Sequence, residues 1–133
     1  MPYIDPRPQQ LQTVIAQAPK GVPVVMLNLL SFRDQANYAD GTQCSGREAY
    51  ARYGKAALGP LGKAGASVIW SGSARGTVIG PDEEQWDQVL LVRYPSVEAF
   101  LAMVTSAEYQ AIVFHRSAAL ADSRLTLTLE SST

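Results

Sequence analysis

One cysteine, Cys44, and one histidine, His115, stand in the 133 residues. A lone cysteine excludes an intramolecular disulfide and fits a reducing compartment. One histidine and one cysteine do not supply a zinc site of the usual ligand types. Asp34, Asp40, Asp82, Glu83 and Glu84 offer oxygens for a hard cation but follow no calcium-loop spacing. Neither sign of charge is in excess: 11 Lys and Arg stand against 12 Asp and Glu, a net charge of −1. That leaves no basic footprint for nucleic acid and no cationic face for an anionic membrane. No apolar run approaches the ~20 residues that span a bilayer. Met1-Pro2-Tyr3-Ile4-Asp5-Pro6 lacks the charged and apolar regions of a secretion signal. The expected location is the cytoplasm. Gly62-Lys63 is followed by Ala64 and has no glycine five residues earlier, so no phosphate-binding loop is present.

What is present suffices for one domain. The chain is 47% hydrophobic and 17% charged, and a domain of this size buries roughly two-thirds of its unfolded surface without a staple. Asp5-Pro6 reads as a helix start, and Leu11, Val14, Ile15 and Ala18 form one apolar stripe ended by Pro19 and Gly21. Residues 24–32 are apolar in both registers apart from Asn28 and Ser31, the pattern of a strand covered on both faces. Helix is the competing assignment, but a short run entered through Gly-Val-Pro favours strand. Residues 33–44 read as a polar connector with a turn at Asp40-Gly41-Thr42, long enough to act as a lid. Ser45-x-x-Glu48 is a capping box opening a helix that carries Tyr50, Tyr53, Ala57, Leu61 and Ala64, with a break expected at Gly59-Pro60.

Residues 66–73 and 86–94 read as the second and third strands, separated by the breakers Gly76 and Gly80-Pro81. Ser96 caps the next helix, and Thr105-x-x-Glu108 reads as a second capping box where that helix jogs and continues through Tyr109, Ile112, Val113 and Leu120. Leu125, Leu127 and Leu129 alternate with Thr126 and Thr128 as the last strand. The division expected is 1–22 as a helical extension, 23–130 as the domain and 131–133 as a frayed tail.

Without the leading helix the order is βαββαβ, an α+β ferredoxin-like arrangement with both helices on one face of a four-stranded antiparallel sheet. Two helices cover only one face, yet the first and third strands are apolar on both. An uncovered apolar face of more than a few hundred Å2 marks an interface. A second sheet from an identical subunit is the expected cover. The competing expectation folds the leading helix across that face. The same element order suits an RNA-recognition module, but residues 88–94 offer aliphatics where stacking aromatics and cations would be needed.

Several stretches together resemble a known family: 23–30 (Pro-Val-Val-Met-Leu-Asn-Leu-Leu), 45–50 (Ser-Gly-Arg-Glu-Ala-Tyr), Trp86-Asp87, Tyr94-Pro95-Ser96 and Glu108-Tyr109-Gln110. They are similar to the domain of unknown function 1330, over about residues 22–125. The resemblance implies the dimeric α/β-barrel superfamily: ferredoxin-like subunits paired sheet to sheet, with a small-molecule pocket between each sheet and its own helices. Relatives include cofactor-free monooxygenases, muconolactone isomerases and haem-degrading enzymes.

In such a pocket the polar lining would come from few groups in apolar surroundings. Asn28 would polarise a ligand oxygen, and His115 would move a proton as catalytic acid or base. Arg116 would clamp a carboxylate or lower the histidine's pKa. Tyr50, Tyr53, Trp70, Trp86 and Tyr94 would wall it, although aromatics at such spacings also serve as core. Cys44 has no neighbour in sequence that would activate it. Haem fits poorly, because Tyr94 stands where the haem-degrading relatives carry tryptophan. His115 also lies two residues past the matching helix position, a rotation of about 200°. The expected function is therefore a homodimer that binds a small, partly apolar metabolite and acts on it without a cofactor, as an oxygenase or isomerase. The alternatives are a non-catalytic ligand-binding or stress-associated dimer and, third, a haem-binding monooxygenase. No motif names a reaction.

Overall fold

The computed structural model describes residues 2–131. In chain order the elements are α1 (Pro8–Gln17), β1 (Val24–Phe32), α2 (Gly46–Ala56), α3 (Leu58–Lys63), β2 (Ser67–Ser73) and β3 (Gln88–Tyr94), followed by α4 (Val97–Val104), α5 (Ala107–Gln110), α6 (Phe114–Ala119) and β4 (Leu120–Thr128). The strands form one antiparallel sheet in the order β2-β3-β1-β4, the ferredoxin-like arrangement expected from the sequence.

Register explains why β1 and β3 are apolar twice over. Directly paired residues share a face. Val68, Val92, Met26 and Leu127 form one row across the sheet, with Ser71, Leu90, Asn28 and Leu125 beside it. These rows face the helices. Val24, Met26, Val92 and Tyr94 pack there with Val97, Phe100, Met103 and Tyr109, while Leu30 packs with Ala49, Ala118, Ala119 and Leu120. The opposite face carries the rows Trp70–Leu91–Leu27–Thr126 and Gly72–Val89–Leu29–Arg124. Leu27, Leu29, Val89 and Leu91 are half-buried in the single chain, and Trp70 is 54% exposed. On edge strand β2 the register shifts between Val68 and Trp70, leaving Ile69 as the extra residue of a bulge. Trp70 lies over Gly72, where a Cβ would sit 2.4 Å from the indole ring.

The leading helix does not cover this open face. Leu11 and Ile15 of α1 pack against the helix-side cluster instead, which overturns the competing expectation. Nor does α1 start at Asp5-Pro6: its N-cap is Arg7, without a side-chain cap, and Pro8 occupies the first turn. The Asp5 carboxylate instead accepts from the Ser117 hydroxyl at 2.7 Å.

Other local corrections have simple causes. The capping box at Ser45 forms as read, but the helix breaks at Ala57, three residues before Pro60. A proline ring clashes with the carbonyl four residues back, so Pro60 is accommodated in the first turn of a new helix. Thr105 is not the second cap. It closes α4, its hydroxyl donating to the Leu101 carbonyl at 2.7 Å, and Ser106 caps α5 by accepting from the Tyr109 amide at 3.1 Å. Leu120 opens β4 rather than ending a helix, so the last strand begins five residues before Leu125. The loop 33–44 is not a solvated connector, since Ala36 and Tyr38 are buried and its backbone bonds to Ala118 and Ala119. Within the described residues no single helix is long and apolar enough to cross a membrane. The expected tail 131–133 lies, beyond Ser131, outside the described residues.

Candidate functional site

On the helix side of the sheet the phenol rings of Tyr50, Tyr53, Tyr94 and Tyr109 converge. The Tyr50 and Tyr53 rings meet at a tilt of 46° with centroids 5.3 Å apart, and the Tyr53 and Tyr109 hydroxyls share a hydrogen bond of 2.8 Å. Burial disfavours the phenolate and pushes Tyr50 up to about 12, with the Arg116 cation pulling the other way. Burial likewise raises Tyr53 and Tyr94. All three are neutral hydroxyls at pH 7, able to donate.

Arg116 comes to this region from α6. It is 8% exposed, and no carboxylate lies within salt-bridge distance of it among the described residues. Its Nη1 donates to the Ile4 carbonyl at 2.6 Å. Asn28, also 8% exposed, faces the helices from β1, and its amide donates only to the Met26 carbonyl of its own strand at 3.3 Å. No fully enclosed side-chain nitrogen or oxygen is left without a partner among the described residues. The remaining polar atoms of Arg116 and Asn28 therefore keep some contact with solvent while making no further bond to described protein groups. Both retain hydrogen-bonding capacity for a guest.

His115 turns elsewhere. Adjacent residues on a helix point about 100° apart, and its Nδ1 meets the buried Tyr38 hydroxyl at 2.6 Å, with Phe114 against its ring at 4.1 Å. Arg52 lies over the Tyr38 ring at 5.9 Å. Burial, with help from the Arg52 charge, lowers the pKa of His115 below its ordinary value. Below pH ~6.5 the unfolded chain then binds this proton before the folded chain does. The contribution is complete above ~6.5 and is lost as pH falls toward the folded pKa. The melting temperature should therefore fall more steeply between pH 7 and 5.5 in the unsubstituted chain than in His115→Gln. Parallel curves would show that the ring is not held neutral.

The structure thus brings Tyr50, Tyr53 and Tyr94 together near Arg116, with Asn28 on the same side of the sheet, and points His115 at the loop. Trp70 stands on the opposite face. Trp86 packs under Arg124, whose guanidinium is 5.1 Å from its ring. Asp87 anchors the start of β3 by accepting from the Phe32 amide at 2.8 Å. Two open surface concavities lie away from this region: one of ≈ 320 Å3 at Asp34, Gln35, Gln43, Cys44 and Ser45, the other of ≈ 440 Å3 along Arg7–Thr13. Sequence reading missed Tyr38 and Tyr109 as partners in these groups. Tyr109 carried a signal, because it shares a helical stretch with Arg116; Tyr38, within a polar loop, carried none.

Sheet order and helix placement define a ferredoxin-like α+β protein. The chain belongs to the DUF1330 family (domain of unknown function), whose model matches residues 41–128. That match begins past β1, whereas the sequence resemblance reaches back to about residue 22. The chain is similar to RPA0582, a protein of unknown function from Rhodopseudomonas palustris, at 36% identity over 100% of both chains with a TM-score of 0.93. The methylated RPA0582 protein gives 38% identity, a TM-score of 0.92, and coverage of 98% of this chain and 96% of that one. A protein of unknown function from Bacteroides fragilis, described as dimeric with a ferredoxin-like fold, shares the fold at 14% identity and a TM-score of 0.52, covering 80% of this chain and 94% of its own. No curated protein matches the chain.

Proposed function

We propose that this protein is a homodimeric α/β barrel of the cytoplasm that binds a small, partly apolar, acid-bearing metabolite between each sheet and its own helices. The domain proper is residues 23–130, with 1–22 as an extension. One observation carries the reading: Arg116 is a buried cation beside a group of tyrosines, with no described carboxylate as its partner. Burying a guanidinium without a counter-charge costs several kcal/mol, which a ligand's acid group would offset. Asn28 would meet a ligand oxygen and the tyrosines its apolar body. The dimer is supported by the half-exposed leucines of the open face, and the Bacteroides fragilis relative is itself described as dimeric.

If the bound molecule is turned over, proton transfer or oxygenation at an activated carbon fits best; the ligand would then have to reach from Arg116 to the His115–Tyr38 pair, which would move the proton. The non-catalytic binding dimer is favoured by one fact: the bonded contacts of His115 and of Arg116 have no residue in common. Solvent extraction and mass spectrometry of the purified protein should find an acid held by the unsubstituted chain and absent from a folded Arg116→Gln variant. A neutral molecule, or equal retention by both, would refute the reading. With that acid as substrate, His115→Ala should abolish turnover while leaving the melting temperature within a few degrees.

A further inference from the structure

The acceptor at Arg116 is supplied by the chain's own beginning. Residues 3–5 form a strap that precedes α1 and is fastened to α6 and β4. The Ser123 hydroxyl donates to the Tyr3 carbonyl at 2.7 Å, and the Tyr3 amide donates to the Asp122 carboxylate at 2.9 Å. The Ser117 hydroxyl donates to Asp5 at 2.7 Å, and Arg116 to the Ile4 carbonyl at 2.6 Å. Only Ile4 is half-buried, its side chain packing on the cluster that holds Leu30 and Ala49; Tyr3 and Asp5 are exposed. Two of the four hydrogen bonds are exposed, and the half-exposed Tyr3 ring rests against the Arg7 and Arg124 guanidiniums at 5.9 and 5.2 Å. The segment is thus held by surface contacts and opens more readily than the core.

A neutral carbonyl gives a guanidinium one hydrogen bond. A carboxylate gives two in parallel, both charge-assisted, and cancels the charge. An incoming acid would therefore compete with the strap for the same nitrogen. Arg116 is also the one buried charged residue among the described residues, which matches a guest with a single negative charge.

We infer that the Ile4 carbonyl holds the place of a ligand carboxylate, so that the ligand is a small monocarboxylic acid and reaches Arg116 by lifting strap 3–5 off α6 and β4. This rests on the reading of Arg116 as the pocket's cation. Removing the strap's serine fasteners should then strengthen binding, because they compete with the ligand and do not touch it.

Calorimetric titration with benzoate, and with benzamide as its uncharged counterpart, tests this on four full-length proteins. These are the unsubstituted chain, Ser117→Ala, Ser123→Ala and Arg116→Gln. Benzoate should bind each serine variant about 10-fold more tightly than the unsubstituted chain, a gain of the size of one hydrogen bond. Benzamide should bind at least 10-fold more weakly than benzoate to the unsubstituted chain and to both serine variants, and Arg116→Gln should lose that preference. Amide hydrogen exchange at residues 3–5 should quicken when benzoate is added to the unsubstituted chain. Equal benzoate affinity in the unsubstituted and serine-substituted chains, with exchange at 3–5 unchanged, would overturn the strap while leaving Arg116 as the ligand's cation. Benzoate binding that survives Arg116→Gln would overturn the underlying reading. No preference for benzoate over benzamide in any of them would overturn the carboxylate assignment.

Discussion

The Leu91→Glu variant should sediment as a monomer at micromolar concentrations, and the unsubstituted chain should sediment there as a dimer. Leu91 stands mid-sheet in the row Trp70–Leu91–Leu27–Thr126, on the face that neither the helices nor α1 cover. Its side chain is half-buried in the single subunit, so a carboxylate there reaches water and costs the subunit little. In a sheet-to-sheet pair the same carboxylate is enclosed largely against leucine and valine, while the face's own cations, Arg93 and Arg124, are already paired with Glu130 and with Glu84 and Asp122. An enclosed, unpaired charge costs roughly 3–5 kcal/mol, which corresponds to a loss of at least ~100-fold in dimer affinity. A stable pair of this kind buries about 800 Å2 per subunit, more than the neighbouring threonines could supply alone. The same sedimentation coefficient for both proteins, whether that of a monomer or a dimer, would remove the sheet-to-sheet pair.

Gly46→Ala should destabilise the subunit by at least ~3 kcal/mol in urea titration, the scale of a severe steric substitution. A Cβ at Gly46 would lie 2.2 Å from the Arg33 carbonyl oxygen, 2.6 Å from that of Ala119 and 2.8 Å from the Arg33 nitrogen. All three are backbone atoms, so no side chain can swing aside. They belong to a relay in which the Arg33 amide donates to Ala119 at 2.9 Å and the Gly46 amide to Arg33 at 3.0 Å. This relay joins the start of α2 to the end of β1 and to the α6–β4 junction, so displacement there also shifts the helix that carries Arg116 and His115. Gly54, also in α2, is the control. Nothing lies within 4 Å of a Cβ there, and Gly54→Ala should stabilise by up to ~1 kcal/mol. Equal effects at the two positions would mean that the contact at Gly46 is not tight.

How much of this was legible in the chain depends on whether the cause was local. The doubly apolar patterns at 24–32 and 88–94 announced strands, and these are the two central strands of the sheet, each with a neighbour on both edges. Ser45 and Ser96 announced helix starts through their own hydroxyls. The first half of β4 was hidden because Asp122, Ser123 and Arg124 are polar, and what they hold, the strap at Tyr3, is more than a hundred residues away in sequence. Thr105 looked like the cap, whereas its neighbour Ser106 is the cap, and only the backbone turn separates their roles. For the candidate site, residue types were readable and directions were not. His115 and Arg116 are adjacent in sequence, yet one meets Tyr38 and the other Ile4, which no spacing rule foretells.

The bulge at Ile69 bears on how copies of this chain can meet. β2 ends the sheet with Val68, Ile69 and Trp70 all about half-exposed, a rim that would invite another strand if it ran straight. The extra residue puts its amides and carbonyls out of step with an incoming edge. Lateral growth into open-ended ribbons is thereby discouraged, while contact between flat faces is left free. An oily surface that pairs face to face would then stop at two copies.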